Sequence, residues 1–188
     1  MAYEAKNFDN LLGIKGFSEK LLKNHFILYQ GYVKNTNLLL DKLSKNLDIS
    51  EFSELKRRFA WEFNGMRLHE HYFGNLTKNF KKISNSLLKQ IVKDFGSYEN
   101  WEKEFKAISL MRGIGWVILY YDISSDKLFN IWINEHDSGH LTGAVPLLVL
   151  DVFEHAYITD YEIKKADYVD AFFNLINWDA VKERFDNC

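Results

Sequence analysis

"LLVLDVFEHAYITDY", residues 147–161, is the stretch on which the reading of this chain turns. Four apolar residues, Leu147, Leu148, Val149 and Leu150, lead straight into Asp151, and His155 follows four positions later. A short apolar run of this kind suits a buried strand, here "AVPLLVLD", so the carboxylate at its end is expected to be buried too. A buried carboxylate without partners is strongly disfavoured and would normally be neutralised. Asp151 and His155 must therefore meet stabilising groups supplied by other parts of the chain.

Upstream, "GWVILYYD" and "KLFNIWINE" are rich in β-branched and aromatic residues and flank "ISSD", a hairpin turn. Everything before them has helical spacing. Ser18 is placed to cap a helix over about 19–46, with Leu21, Leu22, Phe26, Tyr29, Val33 and Leu40 on its apolar side. A second helix is expected over about 51–78, weakened by Gly65. "SNSLLKQIVKDFGS" and "SYENWEKEFKAISLM" read as two shorter helices opened by serine, the first closed by Gly96, and the tail "DYVDAFFNLINWDAVKERF" returns to helical spacing. The fold class is therefore α+β: a long N-terminal α-hairpin, residues 1–82, packed on a C-terminal α/β domain, residues 83–188, with a three-stranded antiparallel sheet.

Composition excludes several classes of function. With 47% hydrophobic and 16% aromatic residues in 188, the chain is globular. A net charge of −2 gives no reason to expect a nucleic-acid partner. No apolar segment reaches the roughly 18–20 residues that span a bilayer, and the opening "MAYEAKNFDNLLGIKG" lacks signal-peptide character. The single cysteine, Cys188, rules out a disulfide within the chain, and the expectation is a cytoplasmic protein with no membrane partner.

Six histidines offer partners for Asp151. His25 shares a helix face with Leu21, Leu22, Phe26, Leu28 and Tyr32, the last seven residues, or about two turns, further on. In "MRLHEHYF", His69 and His71 point apart on a helix; Tyr72 and Phe73, one turn after His69, favour His69 inward and His71 outward. His25, His69, Asp151 and His155 can then meet where two long helices pack on a sheet. Three imidazoles and a carboxylate suit zinc, iron or manganese better than the all-oxygen sites of magnesium and calcium. This set contains no cysteine, which disfavours iron–sulfur and blue-copper centres.

With these residues in place, "DVFEHAYITDY" resembles the D-V-W-E-H-A-Y signature of the iron/manganese superoxide dismutases. In the same order, "YQGYVKNTN" is similar to that family's Y-V-x-N-x-N segment, "FNGMRLHEHYF" to N-H-x-x-F-W and "RGIGWVILYY" to G-S-G-W-x-W-L. "DYVDAFFNLINWDAVKERF" is similar to the closing D-Y-x-x-A-x-W-x-x-I-N-W, so the matches run from about residue 18 to 185. The resemblance implies one iron or manganese ion per subunit, between the two domains, on His25, His69, Asp151 and His155, with solvent in a fifth position. It implies disproportionation of superoxide to dioxygen and hydrogen peroxide, which needs a +2/+3 couple that zinc lacks. Tyr32 resembles the family's gateway tyrosine, and Trp116 would line the cavity. Glu154 resembles the glutamate that pairs with a ligand histidine of a second subunit, implying a homodimer or a dimer of dimers.

The chain departs from the family pattern in four places. His25 and Tyr32 are seven residues apart where eight are usual, a difference that one extra residue carried as a bulge in the family's helix reconciles. A strict eight-residue offset lands on Asn24, a poor redox-metal ligand. The usual gateway histidine is Leu28 and its tyrosine partner is Ile158, so a polar pair has become apolar together. The glutamine that faces the bound solvent has no counterpart in register; in "NEHDSGHLTGAVP" His136 is the first candidate to replace it and His140 the second. Two tryptophans of the aromatic wall are Phe153 and Phe73. Lys34 and Lys165 are candidates for steering an anion. Two alternatives stand beside the dismutase reading. One is a redox-inactive structural or binding protein of the same fold, which would be expected to have shed ligands. The other is a non-haem iron oxygenase, which a third imidazole disfavours.

Overall fold

In the computed structural model, residues 2–83 and 85–188 are described. Ser84, the serine expected to open the third helix, lies outside them. Two long antiparallel helices come first, α1 over Glu19–Leu43 and α2 over Ile49–Gly74. Ser18 caps α1, its Oγ accepting from Leu21 N at 3.1 Å, while both its own donors bond Asp160 at 2.6 Å. That pair ties the start of α1 to the segment just beyond the sheet. Asp48 caps α2 by accepting from Ser50 N and Glu51 N.

Two shorter helices, α3 (Asn85–Phe95) and α4 (Tyr98–Ser109), lead into β1 (Gly115–Asp122), β2 (Lys127–Asn134) and β3 (Val145–Asp151). The sheet is antiparallel in the order β2-β1-β3, so both neighbours of β1 are sheet partners. Residues 115–120 of β1 are accordingly all buried. Trp116 pairs with Ile133 on one side and with Asp151 on the other, which places the carboxylate at the end of the sheet beside the first aromatic of β1. Helix α2 packs on β3, and Met66, Tyr72 and Phe73 of α2 join Leu21, Leu22 and Phe26 of α1 in one core with the strands.

Helix α2 runs through Gly65 as expected, that glycine lying against the Tyr32 ring where no side chain fits, but the end of α2 and the tail need correction. It stops at Gly74 and not near residue 78, because Asn75 caps it and Leu76 turns into an antiparallel bridge with Ile176. For the same reason the tail is not one helix. After a short α5 (Ile158–Tyr161), α6 (Lys165–Phe173) and α7 (Trp178–Asp186) are separated by that bridge, and Asn177 caps α7.

Candidate metal centre

Asp151 ends β3 fully buried, and three imidazoles converge on its Oδ2. His25 Nε2 is 3.2 Å away, from α1; His155 Nε2 is 3.1 Å away, from the 3₁₀ turn Glu154–Ala156; and His69 Nε2 is 3.6 Å away, from α2. One ligand atom from each of the four lies within 4.8 Å of all the others. The other carboxylate oxygen accepts from Phe153 N at 2.8 Å. The Asp151 carbonyl accepts from Tyr168 Oη at 2.8 Å. Tyr168 thereby uses its only proton, so Tyr72 Oη, 3.1 Å off, must donate to it.

The tautomer of His69 follows from the same bookkeeping. Its Nδ1 lies 2.6 Å from the Gly65 carbonyl, which can only accept, so Nδ1 carries the proton. Nε2 is then a bare lone pair, buried and without a hydrogen-bond partner. An orphaned imidazole nitrogen aimed at a carboxylate in an apolar pocket is what a metal ion would satisfy. Burial holds His69 well below the usual histidine range and also lowers His25, against the opposing pull of Asp151, so both rings are neutral ligands at neutral pH. Burial pushes Asp151 up, but His155 and His25 outweigh it and keep the carboxyl well below the usual carboxylate range. Three imidazole nitrogens with one anionic oxygen fit a borderline divalent or trivalent transition metal.

His25 and Tyr32 reach the same site from an uninterrupted α-helix, so seven residues of regular spacing suffice in this chain. Tyr32 stacks on His69 with ring centroids 5.2 Å apart, and burial raises its phenol to about 12. Its Oη is 2.7 Å from Nε2 of His136, which is fully buried. On the other side of that ring, Trp116 Nε1 donates to His136 Nδ1 at 3.0 Å. An indole can only donate, so His136 is protonated on Nε2 and gives that proton to Tyr32. Burial pushes His136 down to about 4, in keeping with a neutral ring. His140, the second candidate, does not reach the cluster: its Nε2 lies 2.8 Å from the backbone carbonyl of His136.

The surroundings are aromatic. Trp116 meets His69 edge-on at 5.0 Å, Phe73 meets His25 at 4.9 Å, and Phe153 stacks on both His155 and His136, at 5.3 and 4.9 Å. Trp61, 4.6 Å from the His136 ring, is a wall residue that the sequence reading missed. Its signal was the stripe Trp61, Gly65, His69 at four-residue intervals on one helix. Tyr72 and Tyr168 were also missed in their role at Asp151, because contacts 17 and 96 residues apart leave no local pattern. His71 turns away from the cluster, half-buried near Arg184, and burial and that cation lower it to about 4.

Among the four ligands His155 is the partly exposed one, its side chain 30% exposed against none for His25, His69 and Asp151. Glu154 is exposed beside it. Lys165 is half-buried, its Nζ donating to Met111 O at 3.1 Å and lying over the Trp132 ring, whereas Lys34 is simply exposed on α1. Leu28 is half-buried and Ile158 is 48% exposed, so that position of the rim is apolar.

Residues 83–184 match the family model described as iron/manganese superoxide dismutases, C-terminal domain. Over 184 residues the chain is 40% identical to a protein of Aquifex pyrophilus named superoxide dismutase [Fe], covering 92% of this chain and 86% of that protein. It is 38% identical over 180 residues to superoxide dismutase [Fe] of Cupriavidus metallidurans, covering 92% and 90%. It is 36% identical over 174 residues to superoxide dismutase [Mn] 2 of Haloferax volcanii, covering 90% and 87%. Relatives named for either metal are thus similarly distant. With its match spanning most of its length and its three histidines and aspartate brought together, the chain belongs to the iron/manganese superoxide dismutase family.

Proposed function

We infer that this protein is a superoxide dismutase, converting two superoxide anions and two protons to dioxygen and hydrogen peroxide, with one iron or manganese ion held by His25, His69, Asp151 and His155. The observation that carries the reading is the convergence of three imidazole Nε2 atoms on one buried carboxylate oxygen, one of them a lone pair with no other partner. When bound, the metal supplies a one-electron +2/+3 couple. The protein's residues set the conditions for it. Asp151 contributes a single negative charge, and neutral imidazoles add none, so neither oxidation state is favoured strongly. Trp116, Phe73, Phe153 and Trp61 exclude bulk water. Tyr32 accepts from His136 and so keeps its own O–H for the cavity side, and its raised pKa keeps that proton in place at neutral pH.

The same reading assigns Glu154 to a homodimer contact, across a twofold axis, with the ligand histidine of a second copy. The exposure of Glu154 beside the one partly exposed ligand supports it. It divides the chain at residue 82/83, where the matching family model also begins. It places the protein in the cytoplasm, in keeping with its single cysteine. No helix among the described residues is long and apolar enough to cross a membrane.

The test is elemental analysis combined with dismutase assays after the apoprotein is reloaded separately with iron and with manganese. Activity with at least one metal, reduced to background in His155→Ala, is the expected result. A folded, fully loaded protein inactive with both metals would leave a scaffold of the same fold without redox function.

A further inference from the structure

The loop between β2 and β3, residues 135–144, carries both His136 and His140, and each is bound to a donor from β1. Trp116 and Tyr120 stand four residues apart on that strand and so project from the same face. Trp116 donates to Nδ1 of His136. Tyr120 Oη lies 2.7 Å from Nδ1 of His140, whose Nε2 is 2.8 Å from the His136 carbonyl. A carbonyl only accepts, so His140 carries its proton on Nε2, and Nδ1 must accept from Tyr120. Burial raises Tyr120 to about 12, which keeps it a neutral donor. Every proton in the chain Tyr120 to His140 to the His136 backbone, and Trp116 to His136 to Tyr32, therefore has one assigned direction.

We propose that His140 and Tyr120 are a positioning pair that clamps the His136 backbone to β1 and so fixes the His136–Tyr32 hydrogen bond. The inference rests on the dismutase reading for its kinetic consequence. The loop has few other ties: Asn134 N bonds Ser138 O at 3.1 Å, Ala144 N bonds Leu141 O at 3.1 Å, and Glu135 and Gly139 take positive φ of 56° and 99°. An imidazole has only one proton to give from Nε2, and here it goes to Tyr32 over 2.7 Å. A shift of the His136 backbone would therefore break that contact without a second donor to replace it.

The experiment compares His140→Leu, His140→Gln and Tyr120→Phe in the full-length protein loaded with its active metal. Glutamine can still donate to the carbonyl and accept from Tyr120. The expected result is a kcat about tenfold lower in His140→Leu at unchanged metal content, recovery to within about twofold in His140→Gln, and an intermediate loss in Tyr120→Phe. A second readout does not depend on turnover. In histidine-selective 15N–1H spectra of the zinc-loaded, diamagnetic protein, the His136 Nε2–H proton should lie downfield and exchange slowly in the wild type and in His140→Gln, and should move upfield and exchange fast in His140→Leu, where Tyr32 no longer accepts it. Wild-type kcat together with an unchanged His136 Nε2–H shift and exchange rate in His140→Leu would overturn the proposal, as would glutamine failing as badly as leucine. If the wild type itself is inactive with both metals, the dismutase reading falls, and the 15N spectra still decide the tether.

Discussion

Gly65 illustrates how one missing side chain can serve two groups at a metal centre. Its carbonyl accepts from His69 Nδ1 at 2.6 Å, which fixes the ligand tautomer. A Cβ there would stand 2.5 Å from Cδ1 and 2.7 Å from Cε1 of Tyr32, well inside contact distance. Glycine thus lets the Tyr32 ring lie on His69 at 5.2 Å. Gly65→Ala must displace that ring, and with it the bond to His136. We expect a stability loss of about 1–3 kcal/mol in denaturant titrations. Alongside it, kcat should fall about tenfold while metal content is retained. Unchanged kcat at full loading would mean that Tyr32 needs no such placement.

At the scale of elements, the decisive junction is where α2 ends against β3. Because β3 is an edge strand, its outward carbonyls need partners. Asn75, the fully buried cap of α2, donates Nδ2 to Val149 O at 2.9 Å, and its own carbonyl accepts from Asn177 N at 2.6 Å. Arg184 of α7 donates to Asn75 Oδ1 and, at 2.6 Å, to Leu147 O. One amide therefore locks α2, which carries His69, to the strand that carries Asp151. Asn75→Ala leaves Val149 O unpaired and removes one Arg184 acceptor, for an expected loss of about 2 kcal/mol in urea unfolding. The variant should also bind its metal more weakly, as measured by competition with a chelator. A change below experimental error in both would show that α2 is held by apolar packing alone.

For the whole molecule, the abundance of buried phenols sets a limit at high pH. Burial is the first cause raising Tyr29 and Tyr120, each to about 12, and it also raises Tyr98, Tyr72 and Tyr168. A phenol whose pKa is higher in the folded than in the unfolded chain favours folding fully below about 10, the unfolded value, and loses that contribution as pH rises towards the folded value. Alkaline titration should therefore show part of the ten tyrosines ionising near 10 and the rest only together with cooperative loss of helical circular dichroism. Ionisation of all ten with the fold intact would contradict that burial. Metal removal should act in the same direction at any pH, lowering Tm, because the ion binds the folded chain.

The stretch 147–161 already required partners for Asp151, since a carboxylate at the end of an apolar strand is stable only where other groups offset its charge, and helical periodicity supplied His25 and His69 as the imidazoles able to face it. The α+β order, the three strands and the four-residue cluster were all legible, because each rests on local periodicity or on a contiguous motif. The reason for a glycine at position 65 was not, because it depends on the Tyr32 ring filling the space beside it. The break between α6 and α7 was not, because it depends on a bridge between Leu76 and Ile176, a hundred residues apart. The choice between His136 and His140 was likewise beyond the sequence: both sit in one loop of similar composition. Only the aromatic donors arriving from β1 place His136 on Tyr32 and His140 behind it. Residue chemistry and spacing therefore determined which groups could hold a metal, and long-range packing decided the direction of each proton around it.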